Sequence, residues 1–274
     1  MQSPINALSH TFSEAGEKVN FGFARGMGSA VFAAMAMLIG LLLKKMSSAL
    51  LPAFYFATIL ALIAFLCRAG AHGEAQTVRK AESGGASEPL RSIPFVLFLL
   101  GIVMMMTAHI FIDNFMLKIM QNIGGGNTQL GAAIAIAAVT ELPAMMLYGK
   151  LRKRFSCQAL LGFAGCVWAL KHVLILFAGS PSVIYLCELL QFASYAFYVP
   201  AGVEFVSIAL PERLYLRGQT FLGAAFSLGC LPATLIGGRL LDTIGIRATL
   251  AVFGAVSVAG AALFILAGMR TLRK

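Results

Sequence analysis

Long apolar runs separated by short polar segments dominate the chain. A helix needs about 20 mostly apolar residues to cross a bilayer, because each residue advances about 1.5 Å through a hydrocarbon core of about 30 Å. The runs show no sustained alternation of apolar and polar residues, and barrel strands are about half as long, so helices are predicted. Eight runs qualify as predicted spans: 26–43, 46–67, 92–117, 130–148, 155–179, 181–208, 220–238 and 248–269.

The connections between these runs predict how the chain is organised. Segment 68–91 is rich in Gly, Ala, Ser and charged residues and has almost no large apolar side chain, which is typical of a flexible linker. It separates two runs from a group of six. We therefore predict a linker at 68–91 and a six-helix bundle over 92–274. Residues 1–12 are too short to span and are predicted to be a helical stub, the end of a further segment.

Composition supports a membrane protein. Apolar residues make up 59% of the chain, charged residues make up 12%, and the mean hydropathy is +0.86. A soluble domain is about half apolar and about a quarter charged, and much of its surface must stay wet. Lipid removes that requirement. We expect an all-α polytopic membrane protein.

The net charge of +10 admits a nucleic-acid partner, but the positions of the charges favour a bilayer. With an even number of spans both termini lie on one side, and most of the 21 basic residues fall in segments on that side. Cytoplasmic loops collect Lys and Arg, so both termini are predicted to be cytoplasmic. We expect a multi-pass protein of the plasma (inner) membrane, with the lipid bilayer and no nucleic acid as its partner.

Motifs for enzymes and metal sites are missing from the sequence. The five cysteines are scattered, with no CxxC or Cys/His cluster, so neither a disulfide framework nor a metal site is predicted. No HExxH, GxSxG or Walker A motif occurs. We predict a protein that is not an enzyme and uses no cofactor, with a membrane-embedded enzyme as a distant alternative.

Ionisable residues inside the predicted spans are the main candidates for function. Such a side chain costs a few kcal/mol or more in a span, so it usually faces the bundle interior. Glu141 lies in the fourth span, close to Pro143, which removes a backbone donor and leaves a polar, bendable spot. Lys171 lies in the middle of the fifth span. A ligand or proton role is favoured for Glu141, and a structural ion pair between Glu141 and Lys171 is the alternative.

The sixth span carries four polar residues at helical spacing. Gln191, Tyr195 and Tyr198 follow Glu188 at i+3, i+7 and i+10, which places them on one stripe of a helix. Such a stripe can line a wet cavity and bind hydroxyl-rich ligands. A solvated position near the outer surface is an equal alternative for Glu188.

Four further polar residues lie in the predicted spans. His109 and Asp113, at i and i+4 near the outer end of the third span, are predicted either to line a cavity or to supply interface polarity. His172 is expected to be a packed, hydrogen-bonded histidine. Glu204, near the cytoplasmic end of its span, is expected to be a gate or surface residue.

Several segments resemble the major facilitator superfamily, and within it the oligosaccharide/proton symporter (lactose permease-like) branch. NFGFARGMG at 20–28 and TELP at 140–143 carry the resemblance to that branch, and PER at 211–213, RGQ at 217–219 and GGRLLDTIGIR at 237–247 resemble loops of the superfamily. The resemblance implies two six-helix halves around a midplane site, joined by a long cytoplasmic loop. It implies that 1–67 is the remnant of an N-terminal bundle in an N-terminally truncated chain.

The resemblance also implies roles for individual residues. Arg25 matches an arginine that contacts the sugar in that branch, and Glu141 matches a glutamate of sugar recognition and coupling. Lys171 stands where the branch has an arginine. Gln191 and Ser194 stand where it has a histidine and a glutamate used in proton coupling, which leaves Glu141 as the candidate proton carrier.

The sequence therefore predicts a secondary transporter that takes up a small polar solute, such as a sugar, oligosaccharide or nucleoside-like molecule, with protons. Two alternatives stay open: an exporter of amphipathic compounds on the same fold, and a truncated membrane protein that does not transport. The predicted solute-binding residues are Arg25, Glu141, Lys171, Gln191, Tyr195 and His109, and Glu141 is also the predicted proton-coupling residue.

Overall fold

The computed structural model describes residues 21–42, 51–69 and 88–272, and these residues are almost entirely helical. No strand occurs among them, which confirms the all-α prediction. Short 3-10 helices at Glu88–Arg91, Leu190–Ala193 and Glu212–Leu214 join the longer elements. The α-helices are α1 (Phe21–Leu42), α2 (Leu51–Ala69), α3 (Ile93–Asn122), α4 (Asn127–Leu151), α5 (Cys157–Leu176), α6 (Pro181–Leu189), α7 (Tyr195–Ala209) and α8 (Tyr215–Leu272).

Five helical stretches of the described residues are long and apolar enough to cross a membrane. They are α3, α4, α5, the pair α6 and α7 with its connection, and the stretch Glu212–Leu272. The shorter apolar helix Pro52–Ala64 lies within α2. The count of eight spans stays a prediction, and so do the stub at 1–12 and the linker at 68–91, most of which lie outside the described residues.

The longest helix, α8, reverses direction at Gly245. This residue has φ +79° and ψ 173°, a conformation that is essentially restricted to glycine. A Cβ built on Gly229 would contact Met106, and one built on Gly260 would contact Met105. A straight helix would hold these two glycines about 45 Å apart at 1.5 Å per residue, so α8 must fold back on itself. Its two halves correspond to the last two predicted spans.

Glycines let α3 pack tightly against both halves of α8. A Cβ on Gly101 would lie 2.7 Å from the Phe264 ring, and a Cβ on Gly165 of α5 would lie 2.9 Å from the same ring. Small residues allow such close approach where lipid supplies no hydrophobic driving force between helices. The fully buried Trp168 and Phe98 belong to the same apolar core, so this core joins α3, which carries His109, to α5, which carries Lys171.

The predicted sixth span is interrupted in its middle. Helix α6 ends at Leu189, the 3-10 helix follows, and Ser194 has non-helical torsions (φ −106°, ψ −101°) before α7 begins. A 3-10 turn has about 3.0 residues rather than 3.6, so it redirects the side chains that follow it. The single continuous stripe predicted from Glu188 to Tyr198 is therefore replaced by two short helices joined by a 3-10 turn that carries Gln191.

Helix α1 crosses α4 at a backbone contact between two glycines. A Cβ on Gly131 would lie 2.9 Å from the carbonyl oxygen of Ala36, and a Cβ on Gly40 would lie 3.1 Å from Gly131 Cα. Any larger side chain at either glycine would push the helices apart. This crossing joins a helix that precedes the predicted linker to the helix that carries Glu141.

Candidate functional site

A buried ion pair joins α5 to α6. Lys171 Nζ lies 2.6 Å from Glu188 Oε2, and the two side chains are 2% and 5% exposed. Burying either charge alone would be costly, and pairing offsets that cost. Glu188 is thus not a solvated surface residue, and the direct salt-bridge partner of Lys171 is Glu188 rather than Glu141.

Gln191 extends this pair to Glu141. Lys171 Nζ donates to Gln191 Oε1 at 2.9 Å, and Gln191 Nε2 donates to Glu141 Oε1 at 3.2 Å. The amide can meet both groups in only one orientation, with its oxygen toward the ammonium and its nitrogen toward the carboxylate. We call the four residues Glu188, Lys171, Gln191 and Glu141 the polar network.

Local sequence explains why Glu141 can sit inside α4. Pro143 lies within the helix and has no N–H, so it cannot bond to the Val139 carbonyl one turn earlier. Thr140 Oγ1 donates to the Ala137 carbonyl at 2.8 Å, which adds a further polar contact in the same turn. The half-buried Glu141 therefore occupies a turn whose backbone is more polar than that of an ordinary apolar helix.

Four rings pack together beside the polar network. His109 of α3 stacks on Tyr195 at a centroid distance of 5.3 Å and on His172 at 5.9 Å, and it meets the edge of Trp168 at 5.1 Å. Trp168 and Tyr195 are 5.4 Å apart. We call these four residues the aromatic cluster. Trp168 precedes Lys171 by three residues on the same face of α5, so the cluster and the network share one helix surface.

Each histidine of the cluster has one polar contact. His172 Nδ1 lies 2.8 Å from Ser257 Oγ on the second half of α8, which confirms a packed, hydrogen-bonded histidine. His109 Nε2 lies 3.5 Å from Asp113 Oδ2, one turn along α3. The Asp113 side chain is 51% exposed while His109 is buried, so this pair connects the surface of the described protein to its interior.

Five buried side-chain atoms make no hydrogen bond within the described part of the chain. An unsatisfied buried donor or acceptor costs about 1–3 kcal/mol, so a group of them points to a polar ligand or water. Three belong to the aromatic cluster, one to the polar network and one to the neighbouring Ser194. They are His109 Nδ1, Trp168 Nε1, His172 Nε2, Glu188 Oε1 and Ser194 Oγ.

A second set of polar contacts, separate from the polar network, lies at the predicted cytoplasmic end of the bundle. Glu204 of α7 accepts a hydrogen bond from Tyr148 Oη at 2.7 Å and from Arg152 Nε at 2.6 Å. The hydrogen bond to Glu204 raises the pKa of the Arg152 guanidinium above its ordinary value. Glu204, predicted to be a gate or surface residue, therefore links α4 to α7 at the predicted cytoplasmic face.

The structure brings five of the six predicted site residues into one region. Hydrogen bonds join Glu141, Gln191 and Lys171, while His109 and Tyr195 stack on each other nearby. Arg25 belongs to α1, but its side chain lies outside the described residues. The solute-binding and proton-coupling roles of all six stay predictions. Sequence reasoning missed Trp168, although its position three residues before Lys171 was a usable signal.

Comparison with known proteins identifies the family. Residues 4–252 match the MFS_1-like family. The chain belongs to this family. An MFS_1-like protein is a transporter of the major facilitator type, so the apolar helices described above are those of a multi-pass membrane protein.

Two relatives are named as a permease and a transporter. The chain is 24% identical to a maltose permease of Geobacillus stearothermophilus over 96% of its own length and 66% of the relative's. It is 21% identical to the uncharacterized transporter YwbF of Bacillus subtilis (strain 168), over 88% of its own length and 60% of the relative's. The MFS_1-like chain thus spans less than two thirds of the length of these two relatives.

Proposed function

We propose that this MFS_1-like chain carries the solute site of a proton-coupled transporter that takes up a sugar, oligosaccharide or nucleoside-like molecule. The observation that carries the proposal is the buried polar network, which places two carboxylates, an amide and an ammonium among apolar helices. Ionisable residues at such depth are costly, and in membrane proteins they mark solute and ion pathways.

The chemistry of the region suits a hydroxyl-rich solute. Carboxylates accept hydrogen bonds from hydroxyl groups, and Lys171 and the Gln191 amide can donate to them. The rings of Trp168 and Tyr195 offer apolar faces against which the C–H face of a sugar or a nucleobase can pack. The similarity to a maltose permease supports a sugar or oligosaccharide within this class.

We assign the roles as follows. Arg25 and Gln191 bind the solute, Glu141 binds the solute or a proton, and Lys171 balances the charge. His109 and Tyr195 line the site. Transport proceeds by rocking of two bundles around this site in the plasma membrane, with eight spans and both termini cytoplasmic, as in the oligosaccharide/proton symporter branch.

The proposal is tested with the 274-residue chain reconstituted in liposomes. Radiolabelled maltose accumulation is measured with the interior alkaline, and maltose counterflow is measured without a pH gradient. Glu141→Gln is expected to lower accumulation at least tenfold, since a neutral amide neither carries a proton nor accepts as strongly from a sugar hydroxyl. Glu212→Gln, at an exposed position outside the network, is the matched control and retains wild-type rates.

The outcomes separate the alternatives. Accumulation and counterflow that are both unchanged in Glu141→Gln would remove Glu141 from the site. If liposomes accumulate a cationic amphipathic dye under an opposed gradient and ignore maltose, the protein is an exporter of amphipathic compounds. If the reconstituted chain moves neither compound and binds neither one, the proposal fails.

A further inference from the structure

Three basic residues at the predicted cytoplasmic end of the bundle have no carboxylate partner among the described residues. Lys153 and Arg154 lie in the turn between α4 and α5, and Arg270 lies in the last turn of α8. All three residues are exposed, and none forms an ion pair with a described carboxylate. We call these three residues the basic patch.

Contacts between α5 and the second half of α8 bring the two parts of the basic patch together. Gln158 Nε2 donates to Thr271 Oγ1 at 3.3 Å, and a Cβ on Gly268 would lie 3.1 Å from Gln158 Cβ. Gln158 follows Arg154 by four residues, and Thr271 follows Arg270 directly. The turn between α4 and α5 and the end of α8 therefore form one charged surface.

The carboxylate of Glu204, which reaches this turn, is already used by other groups. It accepts hydrogen bonds from Arg152 Nε at 2.6 Å and from Tyr148 Oη at 2.7 Å. Arg152 also donates from Nη1 to the Phe155 carbonyl at 3.1 Å, and this contact closes the turn that carries two residues of the basic patch. The described residues thus hold the patch in place but do not neutralise it.

An apolar face continues from the basic patch along the same two helices. Phe155 and Phe163 at the start of α5 and Leu266 of α8 are exposed large side chains. The two helices remain in contact here, since a Cβ on Gly162 would lie 3.4 Å from Ile265 Cγ1. Ten helical residues cover about 15 Å, which is half of a hydrocarbon core, so this face is long enough for the acyl chain of a lipid in one leaflet.

We propose that the basic patch and this apolar face together bind one anionic phospholipid. The lipid phosphate contacts the three cations, and an acyl chain lies along the seam between α5 and α8, beside Phe163 and Leu266. Arginine and phosphate form charge-assisted hydrogen bonds, often two at once. A bias of positive charge orients a chain in the membrane without a closed turn or an adjoining apolar seam, so orientation alone does not require this geometry. The proposal goes beyond solute transport and holds for any solute.

The charge of the patch sets the expected selectivity. One Lys or Arg near an anionic lipid surface contributes an attraction that changes a binding constant about fivefold. A zwitterionic headgroup carries its own ammonium, which cancels the charge of its phosphate. With three cations, we expect a preference of at least about tenfold for an anionic over a zwitterionic lipid at low ionic strength.

The test places a tryptophan reporter in the seam. The 274-residue chain carries Trp168→Phe, which removes its single tryptophan, and Phe163→Trp, which introduces the reporter at an exposed position. It is reconstituted in phosphatidylcholine bilayers with increasing fractions of phosphatidylglycerol whose acyl chains are brominated, because bromine quenches an adjacent tryptophan. Brominated phosphatidylcholine is the zwitterionic reference. The ratio of the two quenching curves gives the preference at position 163.

Variants of this reporter chain locate the preference. Arg154→Gln is expected to lower it about fivefold, and the triple variant Lys153→Gln, Arg154→Gln, Arg270→Gln removes it. Arg91→Gln is the matched control for the single variant, since Arg91 is an exposed cation outside the basic patch, and it keeps the full preference. A second reporter, Phe177→Trp in place of the first, lies just after the other end of α5, where the flanking loop has no charged residue, and it shows no preference.

Four results would overturn the proposal. The first is equal quenching by the two brominated lipids at position 163, and the second is an equal preference at positions 163 and 177. The third is a preference that persists in the triple variant. If that variant does not reconstitute, 1 M salt replaces it, because the Debye length falls to about 3 Å and the preference should vanish. The fourth is displacement of the brominated phosphatidylglycerol by inorganic phosphate at constant ionic strength, which would show a site for a free anion.

Discussion

Lys171 Nζ lies 2.6 Å from Glu188 Oε2 and 2.9 Å from Gln191 Oε1, so a single ammonium joins a carboxylate of one helix to the amide of the next element. Both contacts are buried. Because the Gln191 amide also donates to Glu141, the position of this ammonium affects both carboxylates of the polar network.

Removing the charge of Lys171 should be strongly destabilising. Lys171→Gln leaves Glu188 buried without a cation, which costs about 3–5 kcal/mol when one partner of a buried pair is lost. Thermal unfolding of the detergent-solubilised protein should show a clear decrease in Tm. Exchanging the charges, with Lys171→Glu and Glu188→Lys together, should recover most of the loss. A Tm of Lys171→Gln equal to that of the wild type would mean that the pair does not form.

Glycine substitutions on the first half of α8 test its packing on α3. A Cβ at Gly229 would lie 2.6 Å from Met106 Cβ and 2.9 Å from the Val103 carbonyl oxygen, so Gly229→Ala should cost about 1–3 kcal/mol by overpacking. Gly223→Ala is the matched control, since nothing lies within 4 Å of its Cβ. It should be neutral or stabilise the helix by up to about 1 kcal/mol. Equal Tm values for the two variants would contradict the packing.

The reversal of α8 should depend on Gly245. Its φ of +79° with ψ 173° is strained for any residue with a Cβ, and Gly245→Ala should cost about 1–3 kcal/mol. At Gly238 a Cβ would make only an ordinary contact with the Phe115 ring at 3.5 Å, so Gly238→Ala serves as control. The Tm of each variant is compared with that of the wild type, and a decrease is expected only in Gly245→Ala. An unchanged Tm in Gly245→Ala would be inconsistent with the turn.

The ion pair between Glu88 and Arg213, at the end of the predicted linker, should contribute to the stability of the protein in a pH-dependent way. The hydrogen bond from Arg213 lowers the pKa of the Glu88 carboxyl below its ordinary value. A carboxyl whose pKa is lowered by folding stabilises the protein above its unfolded pKa, and the effect is lost as the pH falls through the folded pKa. Glu88→Gln should therefore lower the Tm slightly at pH 7, and this difference should shrink as the pH is lowered into the acid range where the Glu88 carboxylate becomes protonated. The opposite trend would exclude the link.

The helices could be predicted from hydropathy because each apolar run must satisfy its backbone internally in lipid. Runs 92–117 and 130–148 correspond to α3 and α4 with ends that differ by a few residues. The interruption after Leu189 could not be predicted, since no glycine or proline marks residues 190–194. The 3-10 turn there appears only when tertiary packing is known.

The candidate site was predictable in its members but not in its contacts. Depth in an apolar run is enough to single out Glu141 and Lys171. Spacing along one helix indicates which residues share a face, but it does not say which neighbouring helix that face meets. The pairing of Lys171 with Glu188, and the contact of His172 with Ser257 across 85 residues, therefore required the structure.

Transport at this site requires that Glu141 face a watery space that a solute can fill. The direct measurement is labelling of Glu141→Cys by a membrane-impermeant maleimide, in a chain whose five native cysteines are replaced. Met146→Cys, on a 63% exposed face of the same helix, is the lipid-facing control. Labelling at position 141, with none at position 146, is the predicted result. No labelling at position 141, or equal labelling at the two positions, would contradict the central claim.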